Sequence, residues 1–305
     1  MDSWVYINHE NIDRQKYKTC IDRYSKNDLY AQDFVWDCLH PGWDLLMFDD
    51  YSAVLPLPYK RPFGLTTFRQ PIFIRTIPVA GNLSKEDLKF LFLLLKDQSS
   101  ILHMNLNLKQ GLSSMDKGQY QVIEFEENIE SQRSKYSTNV KRILKKDIDG
   151  FDYSESKDVK GFISFFKEHV GSKYKALNSS AYERLHAFMI ESFDKGIGSI
   201  KIASIGKEAI CKIFIIDFGE TRYYIKGAVT EEGRKSGAMT HLLDQLITEA
   251  HGKGLKKFDF VINFAGNINH ANKFETYKAH YNLIKNIVKY IKKTNSGHLI
   301  QTGSS

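Results

Sequence analysis

From Ser199 onward the chain runs in short apolar–polar stretches broken by glycine turns. Ser199–Ile205 reads as a strand, Gly206-Lys207 as a turn and Ala209–Phe218 as a second strand. After a turn at Gly219-Glu220, Thr221–Val229 is a third strand, rich in aromatic and β-branched residues. The period then changes. Beyond the glycine-bearing loop Glu231–Gly237, apolar side chains fall at Met239, Leu242, Leu243, Leu246, Ile247 and Ala250, the spacing of one helical face from Ala238 to His251. Gly252 and Gly254 end that helix, and Lys257–Ile262 returns to strand. The predicted order is β-β-β-α-β.

The same order repeats nearer the N-terminus. Trp43–Phe48 and Ala53–Leu57 flank an Asp49-Asp50 turn, and Gln70–Ile77 supplies a third strand. Ser84, with Asp87 three residues on, makes a capping box ahead of a helix over Lys85–Lys96, and Ile101–Leu108 follows as a strand. Between the two sets, Tyr136, Val140, Ile143, Leu144 and Ile148 predict one amphipathic helix over 131–149. From Arg133 to Lys146 it carries six basic residues and no acidic one. Further helices are expected at Val159–His169 and Ala181–Lys195. The pattern predicts an α/β (α+β) chain of two tandem domains, 1–130 and 131–305, each with a central mixed sheet flanked by helices. A length of 305 residues suits two cores.

Composition narrows the class. With 42% apolar and 26% charged residues the chain is not disordered, and 13% aromatic residues suit strands and pocket walls. Cys20, Cys38 and Cys211 share no metal or redox spacing and the ten histidines are dispersed, so no metal site is expected. The N-terminus is polar, without the apolar core of a signal peptide, and the longest apolar run, Phe90–Leu95, is too short to cross a bilayer. A reduced, cytoplasmic protein with no transmembrane segment is the expectation. A net charge of +7 favours anionic small molecules or a membrane surface at least as much as nucleic acid.

Candidate chemistry concentrates at the junction Glu231–Ala238. A helix N-terminus offers free backbone N–H groups and partial positive charge, so Arg234, Lys235, Ser236, Gly237 and Ala238 form a candidate phosphate site. The alternative is an exposed loop with two solvated cations. Lys141 and Arg142, on the basic helix, either hold an anionic substrate between the halves or belong to a solvated face. Strict alternation puts Tyr223 and Tyr224 on opposite faces of their strand, with Lys226 on the face of Tyr224. Tyr224 is therefore either a site residue or a buried sheet aromatic. Asp259 either orients a lysine or takes a proton from an amine, or is a structural acceptor. No Ser-His-Asp or Cys-His arrangement supports covalent catalysis.

The predicted order from Phe151 onward resembles the GNAT acyltransferase fold. In that family a [Q/R]-x-x-G-x-[G/A] loop holds the coenzyme A pyrophosphate; Arg234 and Gly237 match it, and Met239 stands where the last Gly or Ala would be. A duplicated GNAT fold with a basic junction is similar to the FemABX aminoacyltransferases. Ser134, Lys135, Asn139, Val140, Lys141 and Arg142 fit their S-K-x-x-x-N-[I/V]-[R/K]-[R/K] element. Ala250, Gly254 and Asp259 fit A-x-x-x-G-x-x-x-x-D-F. Tyr277, Lys278 and Tyr281 fit the closing F-K-x-x-F-G, with Asn282 in place of the glycine. The resemblance implies transfer of an acyl or aminoacyl group to an amine, with acyl-CoA or aminoacyl-tRNA as donor substrate and no tightly bound cofactor. It also implies a peptidoglycan-precursor-like acceptor or tRNA as partner, and Tyr277 as general acid to the leaving group. Met239 carries the competing expectation, a non-catalytic ligand-binding protein that retains a degenerate GNAT fold.

Overall fold

A computed structural model of the chain describes residues 4–108, 116–174, 176–260, 277–284, 291–293 and 299–301, with backbone alone at 116–121, 173 and from 277 on. The chain divides into two compact units, Met1–Gly118 with Ala279–Ser305, and Gln119–Lys278. The sequence-drawn boundary at 130/131 thus lies inside the second unit, and the segment after Lys278 groups with the first.

In the first unit, β1 (Trp4–Ile7) precedes α1 (Arg14–Tyr24) and α2 (Asp33–Leu39). There follow β2 (Asp44–Phe48), β3 (Ala53–Leu57), β4 (Tyr59–Lys60), β5 (Thr67–Arg69), β6 (Ile77–Pro78) and β7 (Ala80–Gly81). Then come α3 (Lys85–Asp97) and β8 (Ile101–Asn107). Strands β1-β2-β3-β7 form an antiparallel sheet. A mixed sheet is organised on β8, which runs parallel to β5 and β6. The predicted strand Gln70–Ile77 does not form. Pro71 has no N–H to give a ladder, Phe73 takes a positive φ of 76°, and only Ile77–Pro78 pairs. The capping box at α3 is formed as expected: Ser84 Oγ accepts from the Asp87 N–H, and the Asp87 carboxylate accepts from the Ser84 N–H.

In the second unit, β9 (Asp116–Glu124) leads to α4 (Ile129–Ser134), α5 (Thr138–Leu144), β10 (Phe151–Ser156), α6 (Val159–His169) and α7 (Ser179–Asp194). The antiparallel run β11 (Gly198–Ile205), β12 (Glu208–Phe218) and β13 (Thr221–Val229) is followed by α8 (Glu231–Ser236), α9 (Ala238–Gly252) and β14 (Lys257–Phe260). Strand order is β10-β11-β12-β13-β14-β9, with β14 parallel to β13 and antiparallel to β9. A further strand, β15 (Tyr277–Ile284), pairs through Tyr281–Ile284 with β8 of the first unit, which is why that segment groups there.

Both faces of the second sheet are covered. Phe214 meets Phe162 of α6 and Phe188 and Phe193 of α7 edge-on. On the other face, Cys211, Ile213, Ile215 and Tyr224 pack with Leu242, Leu246 and Ile247 of α9. Each such fully buried large side chain is worth about 1.5–3 kcal/mol. The single junction helix expected over 131–149 is instead two short ones. Asn128 caps the first through the Ser131 N–H, Ser137 caps the second through the Val140 N–H, and the break between them lets Tyr136 and Val140 both enter the α9 core.

Candidate functional site

Three residue pairs, Thr221–Tyr223 with Lys257–Asp259, join β13 to its parallel neighbour. From there β13 runs on to Val229, and its register with β12 slips where Phe214 faces Lys226 and Ile215 faces Tyr224. The slip is a β-bulge that inserts Ile225. It turns the strand just past the last of those parallel pairs, and bulges commonly re-aim side chains and backbone beside functional sites.

The bulge corrects the face assignment made from alternation. Tyr224 lies on the α9 face and Lys226, opposite Phe214, on the α6–α7 face. Tyr224 is buried in the α9 core, with its ring 6.3 Å from that of Phe260 and its hydroxyl against Gly227. Burial holds that hydroxyl far above the ordinary tyrosine range. Its surroundings are those of a packed sheet aromatic. Lys226 is half-buried, and burial lowers its ammonium pKa to about 8. Its chemistry went unnoticed in the sequence because the bulge is a backbone event that alternation does not register.

Asp259 is buried on β14, opposite Tyr223 in register, on the face away from Phe258 and Phe260. The side chain of Tyr277 lies outside the described residues.

The expected loop before α9 is a short helix. Thr230 caps α8 by accepting from the Gly233 N–H at 3.0 Å, and α8 ends at Gly237, whose φ of 84° is left-handed. Gly237 is also the residue from which α9 starts. A Cβ placed on it would lie 2.6 Å from Ile143 Cγ2, so the missing side chain makes room for α5. The Ile143 carbonyl lies 3.2 Å from His241 Nε2 on the first turn of α9. Arg133 adds a second clamp, giving two hydrogen bonds to Asp244 at 3.1 and 2.7 Å.

This docking brings together two groups that the sequence keeps far apart. Lys141 and Arg142 precede Ile143 on α5, while Arg234 and Lys235 come just before Ser236 and Gly237. All four side chains are exposed. Lys141 Nζ donates to the Ser134 carbonyl at 2.6 Å, and Arg142 donates to Asn139 Oδ1 at 2.9 Å. Arg234 donates to the Val229 carbonyl at 3.1 Å, and Lys235 pairs with Glu231 at 2.8 Å. Ser236 Oγ donates to the Gly233 carbonyl at 3.2 Å, and Ala238 is fully buried. Met239 does not lie open at the junction: its Sδ is 3.8 Å from Cys211 Sγ, and it packs on the α9 core. An exposed cation beside a helix N-terminus can hold an anionic group.

Among the described residues no group of three His, Cys, Asp or Glu side chains could hold a metal ion, and no helix is long and apolar enough to cross a membrane. Residues 131–278 match the family model of the acetyltransferase (GNAT) domain. The chain has no significant match among curated proteins. Its fold is similar to that of FemX, at 11% identity over 92% of this chain and 97% of that one, with a TM-score of 0.56. A tandem GNAT protein from the clavulanic acid biosynthesis pathway is similar at 10% identity over 92% and 97% of the two chains, TM-score 0.51. L-PGS from Bacillus licheniformis follows at 11% identity over 88% and 91%, TM-score 0.51. At these identities the likeness is one of fold, and it spans both units: the α/β architecture is that of tandem GNAT proteins.

Proposed function

We propose, on the premise that residues 131–278 form an acetyltransferase (GNAT) domain, that this protein moves an acyl or aminoacyl group from an activated, phosphate-bearing donor to an amine. The observation that carries the reading is the seating of Ile143 on Gly237, which brings the segments that bear Lys141, Arg142, Arg234 and Lys235 together at the start of α9. Donor phosphates there would meet mobile cations and the positive end of the α9 dipole. The bulge in β13 is the proposed place for the reacting carbonyl. The amine lone pair attacks the carbonyl carbon, and backbone N–H groups at the bulge steady the oxyanion. Collapse then expels the thiolate of an acyl-CoA or the ribose hydroxyl of an aminoacyl-tRNA, while the nitrogen gives up a proton. On the resemblance, Tyr277 supplies a proton to the leaving group, and Asp259 takes the proton that the acceptor nitrogen sheds.

Isothermal titration with acetyl-CoA, a long-chain acyl-CoA and an aminoacyl-tRNA tests the reading and selects the donor. Arg234→Ala is expected to cost about 1–3 kcal/mol of donor affinity through a lost charge-assisted hydrogen bond. Undiminished binding in that variant means that the junction is not the donor site. The second reading, a ligand-binding protein without transfer activity, draws on Ile143 filling the space over Gly237 that a phosphate loop would leave open. Absence of saturable binding for all three donors would favour it.

A further inference from the structure

The first unit holds a cavity of about 790 Å³, within the range of small-molecule sites. Its origin is local. Strand β3 ends at Leu57 in the antiparallel sheet, Pro58 supplies no ladder donor, and β4 begins at Tyr59 in the mixed sheet. The two sheets part there, and the cavity opens between them, closed at one end by the last turn of α3.

The walls are chemically one-sided. Trp4, Tyr6, Tyr59 and Phe68 present aromatic surface, with the Tyr6 and Tyr59 rings 6.0 Å apart and those of Tyr59 and Phe68 6.2 Å apart. Asp44, only 6% exposed, brings a carboxylate into the wall, and Glu10 adds a second, exposed one. Asp44 is held in place from two sides: Oδ2 accepts from the Tyr6 hydroxyl, and Oδ1 accepts from the His9 backbone N–H at 2.8 Å. Each carboxylate oxygen keeps a further lone pair for a ligand. The C-terminal end of α3, at Leu94, Leu95 and Gln98, contributes the negative pole of a helix dipole. Among the described residues lining the cavity there is no lysine or arginine. The His9 imidazole is already engaged, its Nδ1 lying 2.8 Å from the Trp43 carbonyl.

From this wall chemistry we infer that the first unit binds a small molecule carrying a primary ammonium on an apolar body. The ammonium lies against Asp44 and the aromatic faces, and the body fills the apolar remainder. Carboxylate, helix C-terminus and ring faces all attract positive charge, and the rings do so more strongly in a partly desolvated site. An anionic ligand of the same size would meet two carboxylates with no compensating cation. An ammonium held here has no free lone pair, so the cavity is a recognition site and not a place of acylation. The inference is independent of the donor site proposed for the second unit.

The test titrates the full chain with 2-phenylethylammonium, 3-phenylpropionate and 2-phenylethanol, which share a body and differ in charge. Trp4 lines the cavity whereas Trp36 and Trp43 are fully buried, so quenching of tryptophan emission reads occupancy alongside calorimetry. The ammonium should bind at least about tenfold more tightly than the other two. Asp44→Asn should abolish that preference. Because Asp44 also anchors Tyr6 and His9, a second variant guards against misfolding: Gln98→Arg, at an exposed helix end that lines the cavity, adds a guanidinium to its wall and should weaken the ammonium while strengthening the carboxylate. The inference is overturned if the carboxylate or the alcohol binds as well as the ammonium, or if the ammonium shows no saturable binding. It fails equally if a folded Gln98→Arg protein leaves the order of affinities unchanged.

Discussion

Substituting Gly237 by Ala should weaken the second unit for two separable reasons. The backbone at this position has φ of 84°, and an L-residue in the left-handed region costs about 1–2 kcal/mol. The new Cβ would also stand 2.6 Å from Ile143 Cγ2, where carbon atoms ordinarily rest about 3.5–4 Å apart. Relieving such overpacking by shifting α5 costs about 1–3 kcal/mol. Together these give a loss of about 2–5 kcal/mol. Native-state hydrogen exchange at the buried α9 positions Leu242, Leu246 and Ile247 reads the loss as a lower opening free energy. A double-mutant cycle then divides it. In an Ile143→Ala background the colliding methyl is gone, so adding Gly237→Ala should cost only the backbone part, about 1–2 kcal/mol. A loss below about 1 kcal/mol in the single variant, or an undiminished loss in the Ile143→Ala background, would refute the argument that α5 occupies the space vacated at Gly237.

Two further substitutions probe charges buried in the second unit. Arg222 is fully buried, with Asp217 at 2.6 and 2.7 Å and the Leu246 carbonyl at 2.8 Å, and Arg222→Met, which leaves Asp217 with Lys253 at 3.0 Å, should cost about 1–3 kcal/mol. Burial pushes the Asp217 carboxyl up, but Arg222 and Lys253 outweigh it and hold the pKa below the ordinary range. That stabilisation is present above the unfolded value and lost as pH falls through the folded one, so urea unfolding should show the gap between variant and parent narrowing in acid. Lys226, with its pKa lowered to about 8, has the opposite sign: above that pH the unfolded chain retains a proton that the folded chain has shed. Stability should therefore climb from pH 8 towards about 10, and Lys226→Met should flatten the climb.

Where side-chain periodicity alone decides an element, the sequence was sufficient. The α9 face and strand Thr221–Val229 appear where the pattern puts them. Where backbone hydrogen bonding decides, it was not. Ser137 presents an acceptor to the Val140 N–H and splits a helix whose apolar spacing looked continuous. Pro71 denies the ladder a donor in a stretch that composition favours as strand. The extra residue in β13 leaves no trace in alternation, yet it moves Lys226 from one face of the sheet to the other.

The candidate site shows the same division in a more consequential form. Arg234 and Gly237 are legible as a junction motif, and Lys141 and Arg142 as a charge run, but nothing in either stretch refers to the other. Their relation depends on one steric fact, that the hydrogen in place of a Cβ at Gly237 admits Ile143. The glycine therefore acts through the helix it seats as well as through its own backbone. A residue that is chosen for close approach can serve a ligand or a neighbouring helix, and here the neighbour is identified. On the proposed function, the basic residues of α5 and α8 would act jointly on an anion at the start of α9, and removing charge from either helix should weaken the hold of the other.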